Sequence, residues 1–360
     1  MAKVFKRILV ALVILIGVGF FLRHNAFLYQ HPVGQVVQVH NQKVQSITDE
    51  HNNEDQIYQQ KLTIRLLNRQ QKRIILTNGF NQSQTVLHRY RVGDQLILEK
   101  LSNRYHILSL KRDTVLGLLA TLFILLLYFY GQRRATSWLL LSLITNIVLF
   151  IVAVGIDVQF KNPNVILIFS ILAGFFALSS LLFVLGRTLQ MRLTFFATLT
   201  STALTMGIMS IVLLLTHNNG VHFETMAYVT QVPATLFIAQ TIIGVLGAVM
   251  DEAADIVAGL FGMHRENAQR HFKEYWHAGM SIGRDIMGTL INVLFMIFIA
   301  ETMPMVILML RNGNNWPYIL EMVMNLGILQ TVVSGIGIVL AVPVTSAIVA
   351  FFLQRKVAKI

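Results

Sequence analysis

The segment Gly244-Val245-Leu246-Gly247-Ala248-Val249-Met250-Asp251-Glu252-Ala253-Ala254-Asp255-Ile256-Val257-Ala258 decides how the remaining chain is read. On a helical wheel Gly244, Gly247, Ala248, Asp251, Asp255, Ala258 and Gly262 share one face, because their three- and four-residue steps track a period of about 3.6. Leu246, Val249, Met250, Ala253, Ile256, Val257 and Leu260 take the other face. The pattern predicts a long apolar helix with a seam of small residues interrupted by carboxylates. Acids in an apolar span are costly, so Asp251 and Asp255 are expected to face protein or a wet cavity. Glu252 points about 80° to 100° away and reads as an interfacial charge. A second reading is that the helix leaves the membrane near Met250, with the acids solvating its end.

The composition suits such a helix repeated several times. The 360 residues are 55% hydrophobic and 13% charged, with a mean hydropathy of +0.62, which predicts a polytopic membrane protein. A formal charge of +12 would suit nucleic acid, but the basic residues cluster at the ends of apolar spans, as membrane topology demands. The absence of cysteine excludes disulfides, thiolate metal sites and cysteine nucleophiles.

Residues 1–22 combine Lys3, Lys6 and Arg7 with the apolar run Ile8 to Leu22, predicting an uncleaved transmembrane anchor. Residues 23–112 are polar and read as a small β-rich domain, a barrel or sandwich resembling an OB fold. Its strands are expected at Gly34 to His40, Leu62 to Leu67, Ile74 to Thr77, Thr85 to Arg89, Gln95 to Leu98 and Tyr105 to Leu110, with turns at Asn78-Gly79 and Gly93-Asp94. Asn41 to Gln60 reads as a long loop. The domain mixes basic with acidic residues, so a solvated surface is expected rather than a nucleic-acid site. Residues 113–360 hold seven further spans, near Val115 to Tyr130, Trp138 to Val154, Val165 to Gly186, Phe195 to Leu215, Ala234 to Gly262, Ile286 to Leu310 and Leu326 to Leu353. With both termini cytoplasmic, the inner side holds Lys3, Lys6, Arg7, Arg133, Arg134, Arg187, Arg192, Arg265, Arg270, Lys273, Arg284, Arg355, Lys356 and Lys359. The short outer loops hold only Lys161 and Arg311. That asymmetry places residues 23–112 outside the cytoplasm.

The run Ile243 to Asp251, followed by Ser281-Ile282-Gly283-Arg284-Asp285-Ile286-Met287-Gly288-Thr289-Leu290-Ile291-Asn292, resembles the signature of the YibE/F family of bacterial multi-pass membrane proteins. The resemblance extends to the anchor and to Arg91-Val92-Gly93-Asp94. Glu252 and Asp255 depart from it, standing where small or apolar residues are expected, as does Asn292-Val293-Leu294. The resemblance implies a plasma-membrane permease and a paralogous membrane subunit as partner.

Asp251 and Asp255, four residues apart, are able to share a proton or grip a cation between helices. Gly244, Gly247, Ala248 and Ala258 would admit a neighbouring helix, expected to be the seventh span with Gly283, Gly288 and Asn292. Arg284 and Asp285 open that span, as a structural start or as a gate paired with Asp251 or Asp255. Glu301, before Pro304, is a further candidate acid. Thr194, Thr198, Ser201, Thr202, Thr205 and Ser210 make the fifth span hydroxyl-rich, with backbone carbonyls the expected partners rather than a pore. His217, His222 and Glu224 have separations a metal would accept, but no scaffold is evident and no metal or other cofactor is expected. Met263 to Ala278 suits a helix lying at the inner leaflet.

No zinc-protease helix, nucleophile elbow or P-loop is present, so no enzyme is expected. The sequence therefore predicts an α-helical polytopic membrane protein of about eight spans with a small extracytoplasmic β-rich domain, in contact with lipid and able to pair with a second copy. Its expected function is that of a permease, coupled to an ion gradient through acids of the sixth span. The competing class is a non-transporting envelope scaffold or sensor, whose external domain binds a partner or wall component.

Overall fold

The computed structural model describes residues 2–48, 54–68, 72–84, 88–101, 104–160, 163–226 and 232–357, in two compact units, Met1–Thr136 and Ser137–Ile360. The first unit opens with α1 (Ala2–His24) and a single 3-10 turn, Asn25–Leu28. Five strands follow: β1 (Val33–Thr48), β2 (Glu54–Leu66), β3 (Arg73–Asn81), β4 (Gln95–Leu101) and β5 (Arg104–Leu110). Helix α2 (Asp113–Tyr130) comes after them.

The strands form one antiparallel sheet of order β3-β2-β1-β4-β5. Among the described residues β3 and β5 share no ladder, so the sheet is open, correcting both the closed barrel and the sandwich. Alternation puts Val36, Leu62, Ile64, Leu66, Leu96 and Leu98 on one buried face. Gln60, wholly buried, anchors the segment after β3: its Nε2 donates to Asn41 Oδ1 and Tyr90 O, and its Oε1 accepts from Tyr90 N and Asn78 Nδ2.

The loop expected over Asn41 to Gln60 is mostly hairpin: Asn41 faces Gln60 and Thr48 faces Glu54 across the β1–β2 ladder. Polar residues on both faces hid it, because alternation signals a strand only where one face is buried. Asn78-Gly79, expected as a turn, lies inside β3. The turn at Gly93 is present, with a φ of +98° that glycine adopts without a Cβ clash. Of the strand expected at Thr85 to Arg89, residues 85–87 lie outside the described residues and 88–89 are irregular.

The first turn of α3 (Arg133–Gln159) still belongs to the first unit, and the second contains the rest of α3, α4 (Val165–Leu185), α5 (Leu189–Leu215), α6 (Pro233–Glu266), α7 (Phe272–Arg311), the short α8 (Trp316–Ile319), a π-helical turn Leu320–Met324 and α9 (Asn325–Val357). With α1 and α2, the described residues hold eight helical stretches long and apolar enough to cross a membrane. Helices α6 and α9 are central: α6 packs on α4, α5, α7 and α9, and α9 packs on α5, α6 and α7. Helix α3 is peripheral, joined to α4 where Asn146 bonds Ser179 and Ser180 and where Trp138 stacks on Phe183.

Close helix approaches occur where side chains are missing. A Cβ on Gly283 of α7 would collide with Val342 of α9, one on Gly327 of α9 with Phe298 of α7, and one on Gly259 of α6 would lie 2.7 Å from Ile282 of α7. The separate surface helix expected over Met263 to Ala278 is not there. Helix α6 runs to Glu266 and α7 starts at Phe272. Tyr275, fully buried, is hydrogen-bonded to His264 Nδ1 at 2.6 Å, so this aromatic turns into protein instead of toward a lipid surface.

Candidate functional site

Helix α6 buries the face opposite to the expected one. Leu246, Val249, Ala253, Ile256, Val257 and Leu260 are all buried, while Asp251, Asp255 and Ala258 are exposed. Bulky residues bury more apolar area than small ones, and α6 has neighbours on several sides to receive them. The acids expected to face protein therefore lie on the outside of the chain.

Glu252 is the acid inside. It shares the stripe Val245, Val249, Ile256, whose three- and four-residue steps aim it at α5 and α9. Its side chain is fully buried, and neither carboxylate oxygen has a hydrogen-bond partner. It stands between two apolar clusters. Val245 and Val249 pack with Met209 of α5 and Val333 and Ala341 of α9. Ile256 and Leu260 pack with Leu193 of α5 and Val342 and Val349 of α9.

Hydroxyls of α5 and α9 lie along the same contact. A Cβ on Gly337 of α9 would sit 3.0 Å from both Val245 and Val249 of α6 and 3.4 Å from Thr205 Oγ1 of α5, which aligns the three helices. From that level Glu252 is one turn further along α6, about 4.5 Å beyond Val249. On α5, Thr198, Ser201 and Thr202 lie between Thr205 and Leu193, as Glu252 lies between Val249 and Ile256. On α9, Thr345 lies further along, between Val342 and Val349, which pack with Ile256 and Leu260. Thr194, Thr198, Ser201, Thr202 and Thr345 are buried, and their side-chain oxygens have no partner. Only Thr205 of the α5 hydroxyl series bonds a backbone carbonyl, Ser201 O at 2.8 Å, and Ser210 is exposed. The expectation that backbone carbonyls absorb these hydroxyls is corrected at four of the six positions.

Buried polar groups are nearly always hydrogen-bonded, and each one left single is destabilising by about 1–3 kcal/mol. Six such side chains on three adjoining helices are costly as structure alone. Chemically they are oxygen donors only, one carboxylate and five hydroxyls spread along three helices, the kind of group that a proton or a hard cation takes.

The other expected candidates are dispersed. Arg284, Asp285, Asn292 and Glu301 are all exposed on α7, and among the described residues no ion pair joins Arg284 or Asp285 to Asp251 or Asp255. Within the small-residue seam, a Cβ on Gly244 would sit 3.1 Å from Gln330 Nε2 of α9, whereas Gly247 and Gly288 face open space. The close contacts of Gly244 and Gly283 are thus both with α9, not between α6 and α7. His222 meets Glu224 and, unexpectedly, Glu321. Among the described residues no three His, Cys, Asp or Glu side chains stand where they could share a metal ion.

Glu252 and Thr345 were missed because helical phase does not say which face turns inward. The signal available was the three- and four-residue spacing of Glu252 with Val245, Val249 and Ile256. Two family profiles match the chain, one described as YibE/F-like protein over residues 119–355 and one as YibE/F family N-terminal domain over residues 27–111. No curated protein and no solved structure matches it.

Proposed function

The chain belongs to the YibE/F family, and from that premise we propose that its second unit works as an ion-coupled permease in which Glu252 binds and releases the coupling proton or cation. The chain then crosses the plasma membrane eight times with both termini cytoplasmic and residues 23–112 outside. The asymmetry of Lys and Arg supports that orientation. The observation carrying the function is Glu252 itself, fully buried with both oxygens unpartnered, on a helix packed against α5 and α9, which carry five further unpartnered hydroxyls.

A lone carboxylate in an apolar interior is destabilised by several kcal/mol as an anion, so it holds a proton or a cation. The hydroxyls of α5 and Thr345 of α9 offer that ion successive oxygen partners along the helix axes. Release follows when these helices shift enough to wet the carboxylate from one side.

Dicyclohexylcarbodiimide, which reacts with protonated carboxyls in apolar surroundings, tests this without a known substrate. In sealed proteoliposomes of the full chain, mass spectrometry of the labelled peptide should find Glu252 modified and Asp251 and Asp255 unmodified. Over the titrating range the rate should fall about tenfold for each pH unit, whether pH is raised inside or outside. Glu252→Gln should keep its membrane abundance and lose the label. Labelling that ignores pH, or follows only one compartment, would sink the proposal.

A further inference from the structure

Helices α1 and α2 of the first unit run side by side in opposite directions and approach closely near Gly19 and Gly117. A Cβ on Gly19 would lie 3.3 Å from Leu118, and one on Gly117 would collide with Leu22. Away from these glycines an open cleft of about 660 Å³, here called the wedge, lies between the two helices. Its walls are mostly apolar, Val10, Ala11 and Ile14 from α1 and Leu125 and Phe129 from α2, with Tyr128 beside them. Its mouth is basic, with Lys6 and Arg7 from the start of α1 and Arg133 just beyond the end of α2. From Ile14 to Lys6 the helix rises about 12 Å, so polarity changes from apolar to cationic along one axis of the cleft.

From this polarity we infer that the wedge between α1 and α2 is a binding site for an anionic phospholipid, its phosphate among Lys6, Arg7 and Arg133 and an acyl chain between Ile14 and Leu125. No Asp or Glu occurs in residues 1–22 or 114–156, so the two helices bring no carboxylate to this mouth. A zwitterionic head would leave its own cation among three others, whereas a phosphate diester with no amine brings only negative charge. Basic pockets between helices on the cytoplasmic side select anionic headgroups by the same physics. The inference rests on the chain lying in a bilayer and not on any role of Glu252.

Native mass spectrometry of the full chain tests it, after release from nanodiscs made of equal phosphatidylglycerol and phosphatidylcholine. The wild type should retain one phosphatidylglycerol in strong preference. Each cation contributes about a fivefold factor, so Lys6→Gln, Arg7→Gln and Arg133→Gln together should lower the preference on the order of a hundredfold. Ala11→Trp, which fills the wedge and keeps every charge, should lose the retained lipid as well. Glu252→Gln should retain it, which separates this outcome from that of the permease reading. Equal retention of both lipids, retention in Ala11→Trp, or a lipid-free dimer would each overturn the site; the last would seat a second copy of the chain in the wedge.

Discussion

His222 holds a carboxylate on each side of its ring, Nδ1 at 2.8 Å from Glu224 and Nε2 at 3.3 Å from Glu321. Two acceptors call for two N–H donors, which only the imidazolium has. The bond to Glu224 is the main cause holding the His222 pKa above its ordinary value, with Glu321 adding to it against partial desolvation. Glu224 is held below its ordinary value, by its own backbone N–H first and by His222 second. The signs follow by linkage. Stability from His222 is fully present below its ordinary pKa and is lost as pH rises through the raised one. Stability from Glu224 is present above its ordinary pKa and is lost as pH falls through the lowered one. The clamp ties the segment after α5 to the π-helical turn before α9, and Asn325 Nδ2 donates to Gly220 O beside it. Hydrogen-exchange protection of residues 216–226, measured relative to His222→Gln, should be greatest between those limits and vanish at alkaline pH. Protection equal in both proteins at every pH would show that the ring carries no such charge. Glu321 could not be anticipated here, since it lies 99 residues from His222 in the chain.

At the scale of elements, α7 and α9 are held together by missing side chains. Gly283 lies against Val342, and a Cβ there would collide with both methyls of that buried valine. Gly283→Val should therefore destabilise the helical unit by about 1–3 kcal/mol, as over-packing does. Val342→Ala in the same chain should recover part of that loss, because the two positions share one contact. Thermal unfolding in detergent of both single variants and the double variant checks this, and additive losses would mean the helices do not meet there. Gly288→Val, with open space around it, should be near neutral in the same assay. The sequence marked both glycines as packing residues, since small residues admit helices in either case. Only the contact shows which one is used. The hydroxyls of α5 illustrate the same limit: their spacing showed one stripe, but not that four of them lack a backbone partner.

For the whole molecule, the distribution of Lys and Arg makes a prediction open to direct test, because the chain lacks cysteine. Ser46→Cys in the β1–β2 hairpin should react with a membrane-impermeant maleimide in intact cells. Glu266→Cys at the end of α6 should react only in inverted vesicles. The opposite pattern would reverse the orientation, and equal labelling of both from one face would end the eight-span topology. The apolar helices could be read from the chain with their approximate limits. The hairpin could not, being polar on both faces; nor could the early start of α7, drawn inward by Tyr275.

Sequence by itself determined that the described residues form eight long apolar helices and a separate small sheet, because length, hydropathy and alternation are local properties of consecutive residues. It also determined that α6 has two unlike faces. Tertiary structure decided which face is inside. Every helix of this unit is apolar around most of its circumference, so no boundary with water assigns an inner side, and the choice falls to the area buried against neighbours. The bulky stripe wins that comparison. Asp251 and Asp255 are carried outward with the small residues, and Glu252 is carried into the contact with α5 and α9.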